Sequence, residues 1–146
     1  MKTETITAPL VKETLIKSTP DKVWSALTDP EKVKQWFMDP IGFKPEVGNE
    51  FTMTATNKGK EYLHLCEVME VIPEKKLMYS WKYKDTPGES FVTFELSAEG
   101  DKTRLKLTHE GLETFPQDSD DYARKNFDAG WTHFIEKTIK EFVEKE

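Results

Sequence analysis

Two tryptophan-bearing segments at opposite ends of the chain bracket an unbroken series of strand patterns, and this order constrains the fold more than any other feature. The first segment runs Val23-Trp24-Ser25-Ala26-Leu27-Thr28-Asp29-Pro30 and on to Trp36-Phe37; the second contains Gly130-Trp131. Between them Phe51, Met53 and Ala55 alternate with threonines, and residues 62–72 read as one long strand. Leu77, Tyr79, Trp81 and Tyr83 then alternate with Met78, Ser80 and Lys82. Val92, Phe94 and Leu96 alternate with Thr93 and Glu95, and Thr103, Leu105, Leu107 and His109 share one face. Such period-2 alternation is the mark of half-buried strands. The breaks are short: Asn57-Lys58-Gly59-Lys60, Pro73-Glu74-Lys75-Lys76, Asp85-Thr86-Pro87-Gly88 and Glu99-Gly100-Asp101. Parallel neighbours need a crossover of a dozen or more residues, so these turns predict an antiparallel meander. An earlier strand over 8–17 has apolar residues on both faces, Leu10 and Ile16 on one and Val11 and Leu15 on the other.

The helices announce their starts. Thr19-Pro20-Asp21 supplies an N-cap, a proline for the first helical position and an acid for the positive first turn; Asp29-Pro30-Glu31 repeats the signal. Val23, Trp24 and Leu27 give the first short helix its apolar stripe, and Val33, Trp36 and Phe37 give the second. From Asp121 onward the period becomes 3.6, with Phe127, Trp131, Phe134, Ile135, Thr138 and Phe142 on one side and Lys137, Lys140, Glu141 and Glu144 opposite. The acidic stretch 111–121, with Phe115-Pro116 inside it, reads as a solvated loop or as a gate over a cavity mouth.

With 146 residues the chain is expected to form one domain over 1–146. Its net charge of -6, from 21 basic and 27 acidic residues, argues against nucleic acid as a partner. No apolar run approaches the roughly 20 residues a membrane helix needs, and residues 1–11 lack the apolar core of a signal peptide. Cys66 is the single cysteine, which suits a reducing compartment. The expectation is a soluble cytoplasmic protein.

The segments Trp24-Ser25-Ala26-Leu27-Thr28-Asp29-Pro30, Trp36-Phe37, Leu107-Thr108-His109-Glu110-Gly111 and Gly130-Trp131 together resemble the Aha1-type branch of the START-like (SRPBCC) superfamily. That branch is named for the C-terminal domain of the activator of the heat-shock-protein-90 ATPase. The resemblance spans roughly residues 8–143. It implies an α+β helix-grip fold, a curved antiparallel sheet around a long C-terminal helix, with two short helices at one end. It also implies a cavity between sheet and helix for an apolar or amphipathic small molecule. The eukaryotic cochaperones of the branch carry a further N-terminal domain, whereas here the first strand begins near residue 8, so a lone domain is expected.

Catalytic and metal-binding patterns are weak. His64, His109 and His133 lack the close spacing of metal ligands, so no metal or cofactor is expected. His133 falls on the helix surface. His109 points either into the cavity or into a satisfied core site. Cys66 reads as a small buried hydrophobe, and Glu110 lies on the strand face opposite His109. The aromatics carry more. Trp36, Phe37, Trp81, Phe94, Phe127 and Trp131 must converge, and large aromatics ordinarily form core. Gly130 costs a helix interior roughly 0.5–1 kcal/mol against alanine, which implies either close packing or room for a ligand. The candidate ligand-binding set is therefore Trp36, Phe37, Met53, Trp81, Phe94, His109, Phe127, Gly130 and Trp131. The leading expectation is a small-molecule binding module. The alternatives are a protein that modulates a chaperone ATPase, and an enzyme of cyclase- or hydrolase-like type, which would need His109 or His64 in the cavity with a carboxylate or tyrosine within reach.

Overall fold

A computed structural model describes residues 8–57, 59–116 and 122–145. Six strands form one antiparallel sheet: β1 (Leu10–Ile16), β2 (Glu50–Asn57), β3 (Lys60–Ile72), β4 (Lys76–Tyr83), β5 (Ser90–Glu99) and β6 (Lys102–Glu110), in spatial order β1-β6-β5-β4-β3-β2. The consecutive strands from β2 to β6 are neighbours, as the short turns require, and β1 closes the far edge by pairing with β6. Helices α1 (Pro20–Thr28) and α2 (Pro30–Trp36) follow β1. The Asp29 carboxylate accepts the Glu31 N–H at 3.0 Å and so caps α2. Thr19 occupies the cap position of α1, but its side chain makes no bond to the helix backbone.

The C-terminal helix lies on the concave face of the sheet. It consists of α3 (Arg124–His133), a π-helical turn (Phe134–Thr138) and α4 (Ile139–Glu144), with helical backbone throughout. Its fully buried line is Trp131, Ile135, Ile139 and Val143. This corrects the predicted stripe: Phe127, Phe134, Thr138 and Phe142 are only half-buried flanks. Steps of four residues drift around an ideal 3.6-residue helix. The wider turn, in which the Ile139 N–H bonds the Phe134 carbonyl five residues back, keeps that line on the sheet. Lys140 and Glu144, predicted to face away, strap the helix to the edge strand instead. Lys140 Nζ donates to the Leu15 carbonyl at 3.2 Å, and the Glu144 carboxylate accepts the Lys17 N–H at 2.8 Å. Further along, Lys12 pairs with Asp128 at 2.8 Å.

The core fills the space between this line, α1 and the inward side chains of the strands, including Val92, Phe94, Leu105 and Leu107. The outer face carries cross-strand charges in alternation. Glu13 stands opposite Lys106, Lys106 opposite Glu95, and Glu95 opposite Lys76, the arrangement that cross-strand pairs favour.

Candidate ligand cleft

Between the N-terminal half of the C-terminal helix and strands β2 to β4 lies a cleft of about 230 Å³. The segment after α2 supplies Phe37 and Met38. The sheet supplies Ala55, Tyr62, His64, Trp81 and Tyr83, and the helix supplies Asn126, Phe127, Gly130, Trp131 and Phe134. These positions follow from the pleat. Ala55, Tyr62, His64, Trp81 and Tyr83 lie on the inward face of three adjoining strands, so their side chains meet the helix rather than solvent. Phe37 stacks on Trp131 with ring centroids 5.4 Å apart and meets Phe134 edge-on at 4.7 Å. A Cβ built on Gly130 meets nothing within 4 Å. Close packing therefore does not account for this glycine. It leaves a gap in the helix surface, and that gap belongs to the cleft.

Of the predicted set, Phe37, Trp81, Phe127, Gly130 and Trp131 line the cleft together. Trp36, Met53, Phe94 and His109 do not; all four are buried behind it in the core. The Trp36 indole donates to the Ala26 carbonyl at 2.7 Å, and its own carbonyl accepts from Thr138 Oγ1 at 2.8 Å. Phe115 is also core, stacked on Phe127 at 6.1 Å, and thus no gate; residues 117–121 of that acidic stretch lie outside the described residues.

His109 resolves as a satisfied core histidine. The Trp131 indole N–H donates to His109 Nδ1 at 3.0 Å. An indole nitrogen only donates, so Nδ1 must be the bare nitrogen. His109 Nε2–H then donates to Ser90 Oγ at 2.8 Å, and Ser90 donates on to the Trp81 carbonyl at 2.8 Å. The imidazole is neutral: burial, with a small contribution from His64, lowers its pKa to about 3. Both ring nitrogens are engaged, which leaves neither for a ligand.

His64 lies outside the predicted ligand-binding set, because the inward face of β3 is ambiguous in the sequence; only the enzyme alternative places it, or His109, in the cavity. Its Nδ1 lies 2.9 Å from the Met53 carbonyl. A carbonyl only accepts, so Nδ1 carries the proton and Nε2 is a bare acceptor. Burial lowers the pKa of His64 to about 4. The ring packs against Trp81 and Tyr83, each at 4.7 Å. Burial likewise raises the Tyr83 phenol. The Trp81 indole nitrogen is the one sealed side-chain polar atom among the described residues that has no partner. The Tyr83 hydroxyl is near enough to feel that N–H but completes no hydrogen bond with it. Among the described residues, the cleft thus has aromatic walls with no carboxylate and no cation, and His64 is its polar element. Groups held neutral this far from their usual pKa exchange hydrogen bonds at neutral pH more readily than protons. Cys66 is buried as well, its thiol pushed up to about 12 by desolvation. Among the described residues no cluster of His, Cys, Asp and Glu is placed to hold a metal ion, and no helix is long and apolar enough to cross a membrane.

A curved antiparallel sheet holding a long terminal helix, with two short helices at one end, defines the START-like helix-grip class. Within it, the chain belongs to the family described as Activator of Hsp90 ATPase homolog 1-like protein, whose family model matches residues 17–144. It is similar to the Activator of 90 kDa heat shock protein ATPase homolog 1 of Homo sapiens, at 25% identity over 131 residues. That match covers 90% of this chain but only 35% of the human protein. Among solved structures, a protein from Mesorhizobium loti is 31% identical, with a TM-score of 0.79 over 94% of this chain and 98% of its own. CalU16 from Micromonospora echinospora is 27% identical, with a TM-score of 0.71 over 92% and 75%.

Proposed function

We propose that this domain binds a small apolar or amphipathic molecule in the cleft between the C-terminal helix and strands β2 to β4. The observation that carries the reading is the space opposite Gly130, walled by Phe37, Trp81, Phe127 and Trp131. Natural ligand pockets are mostly apolar, with a few placed polar groups, and this cleft has that composition. At about 230 Å³ it exceeds the roughly 150 Å³ engineered cavity that holds benzene and falls below the roughly 300 Å³ at which drug-sized pockets begin. A single substituted ring or a short chain is the size that fits. Thermal stabilisation by a panel of such molecules tests the reading. A Tm that none of them raises at millimolar concentration, with Gly130→Leu indistinguishable from wild type in the same panel, removes it.

A second reading follows from the family. Relatives named for activating the 90 kDa heat-shock-protein ATPase match over 90% of this chain. The chain spans about a third of their length, so a partial role is the appropriate comparison. Contact with a chaperone would use surface outside the cleft, such as the alternating charges of the outer sheet face. An ATPase assay of the matching chaperone at saturating domain decides this; an unchanged rate excludes it. In either reading Cys66 as the single cysteine suits a reducing compartment such as the cytoplasm.

A further inference from the structure

We infer that the ligand of this cleft carries a neutral hydrogen-bond donor, a hydroxyl or a primary amide, on an otherwise apolar body, and that His64 Nε2 is the atom that receives it. This inference rests on the cleft being a binding site and specifies the class of molecule it takes. The Met53 carbonyl at 2.9 Å fixes the proton on Nδ1, so the lone pair of Nε2 is left over. Among the described residues no hydrogen bond engages that nitrogen, yet His64 lines the cleft and is only 3% exposed. The one side-chain polar atom among the described residues that is both sealed and unpartnered is the Trp81 indole nitrogen, so Nε2, unpartnered but not sealed, opens on the cleft that His64 lines. A hydroxyl or primary amide offers the O–H or N–H that this lone pair lacks.

The surroundings exclude the charged alternatives. Among the described lining residues, a carboxylate would face the bare Nε2 with no cation, and an ammonium would find no carboxylate; either would be desolvated without a counter-charge. An ether or ketone of the same shape has no donor and would leave Nε2 empty.

Three probes of seven heavy atoms separate the cases: cyclohexanol donates and accepts, cyclohexanone only accepts, and methylcyclohexane does neither. Affinities are measured by titration calorimetry on the wild type and on His64→Phe. The preference for cyclohexanol over cyclohexanone should fall about fivefold to tenfold in the variant, the worth of one hydrogen bond of ordinary strength. Methylcyclohexane should bind both proteins alike. In the wild type, the 15N resonance of His64 Nε2 should move with cyclohexanol and stay put with the other two, and this decides the question even if His64→Phe does not fold. Binding of all three probes with an unmoved Nε2 resonance overturns the inference and leaves the cleft as a purely apolar site. Failure of every probe to bind refutes the cleft reading and this inference with it.

Discussion

Lowering the pH from 7 to 5 should cost the fold about 4 kcal/mol through two histidines alone. In the unfolded chain His64 and His109 titrate near 6.5. In the native state burial holds them neutral down to about 4 and about 3. Over this window the unfolded state takes up protons that the native state refuses, so stability falls as the pH falls. The contribution of each histidine is complete above its unfolded pKa and is lost progressively toward its folded one. Between pH 7 and 5 the unfolded state gains about 1.9 kcal/mol per histidine from protonation, while the native forms gain almost nothing. Urea titrations at pH 7, 6 and 5 measure this directly, as a falling midpoint with an unchanged slope. His64→Phe should retain about half of the pH dependence. A loss of less than about 1 kcal/mol in the wild type would refute the reasoning, since at least one buried ring would then accept a proton in place. For His109 that proton could go only to Nδ1, at the cost of the bond from Trp131.

Gly130→Ala should raise stability by about 0.5–1 kcal/mol, because a Cβ there meets nothing and alanine favours the helix; a destabilised variant would mean the gap closes in solution. Gly130→Leu should leave stability level or higher in a urea titration while weakening every cleft ligand, and unchanged binding would place that side chain outside the cleft. Trp131→Ala should cost about 3–5 kcal/mol, and Trp131→Phe roughly 1–3 kcal/mol, as His109 Nδ1 then loses its donor; calorimetric melts of the two rank them. Cys66, buried with its thiol pushed up to about 12, should resist a disulfide reagent at pH 8 until urea exposes it, and rapid labelling of the native protein would contradict its position.

Local signals in the sequence carried well into the structure. Thr19-Pro20 and Asp29-Pro30 mark the starts of α1 and α2 because a proline at the first helical position, and at Asp29 a capping carboxylate, act on their own turn and need nothing distant. The order of strands from β2 to β6 was legible because turns that short leave no other connection. The helix stripe was not: a π-helical turn changes the period within the helix, so Ile139 and Val143 sit inward where a uniform 3.6 repeat turns them aside. The inner face of β3 was hidden too. It presents Tyr62, His64, Cys66 and Val68, a mixed set in which two residues look like surface, and a register shift between Val68 and Glu70 ends the alternation. His64 stays out of the predicted ligand-binding set for that reason, whereas His109 enters it because Leu105 and Leu107 share its face. The sequence contains no sign that His109 is occupied by Trp131 and Ser90, since those partners lie 22 and 19 positions away.

The hydrogen bonds from Trp131 through His109 and Ser90 to the Trp81 backbone link the helix to β6, β5 and β4 in turn. They run across the strands, so they act as a crossbar: the helix cannot slide along the sheet or roll on it without breaking the line at its first joint. With Trp131 and Trp81 held this way, one wall of the cleft is fixed. The opposite wall consists of Phe37 and Met38 beyond the end of α2 and the hairpin ends at Ala55 and Tyr62, where β2 is an outermost strand, its free edge bridged to Ile41 at Thr52 but not at Ala55. The proposed ligand would then enter on the β2 side, and backbone amides there should exchange with solvent sooner than those beside the crossbar.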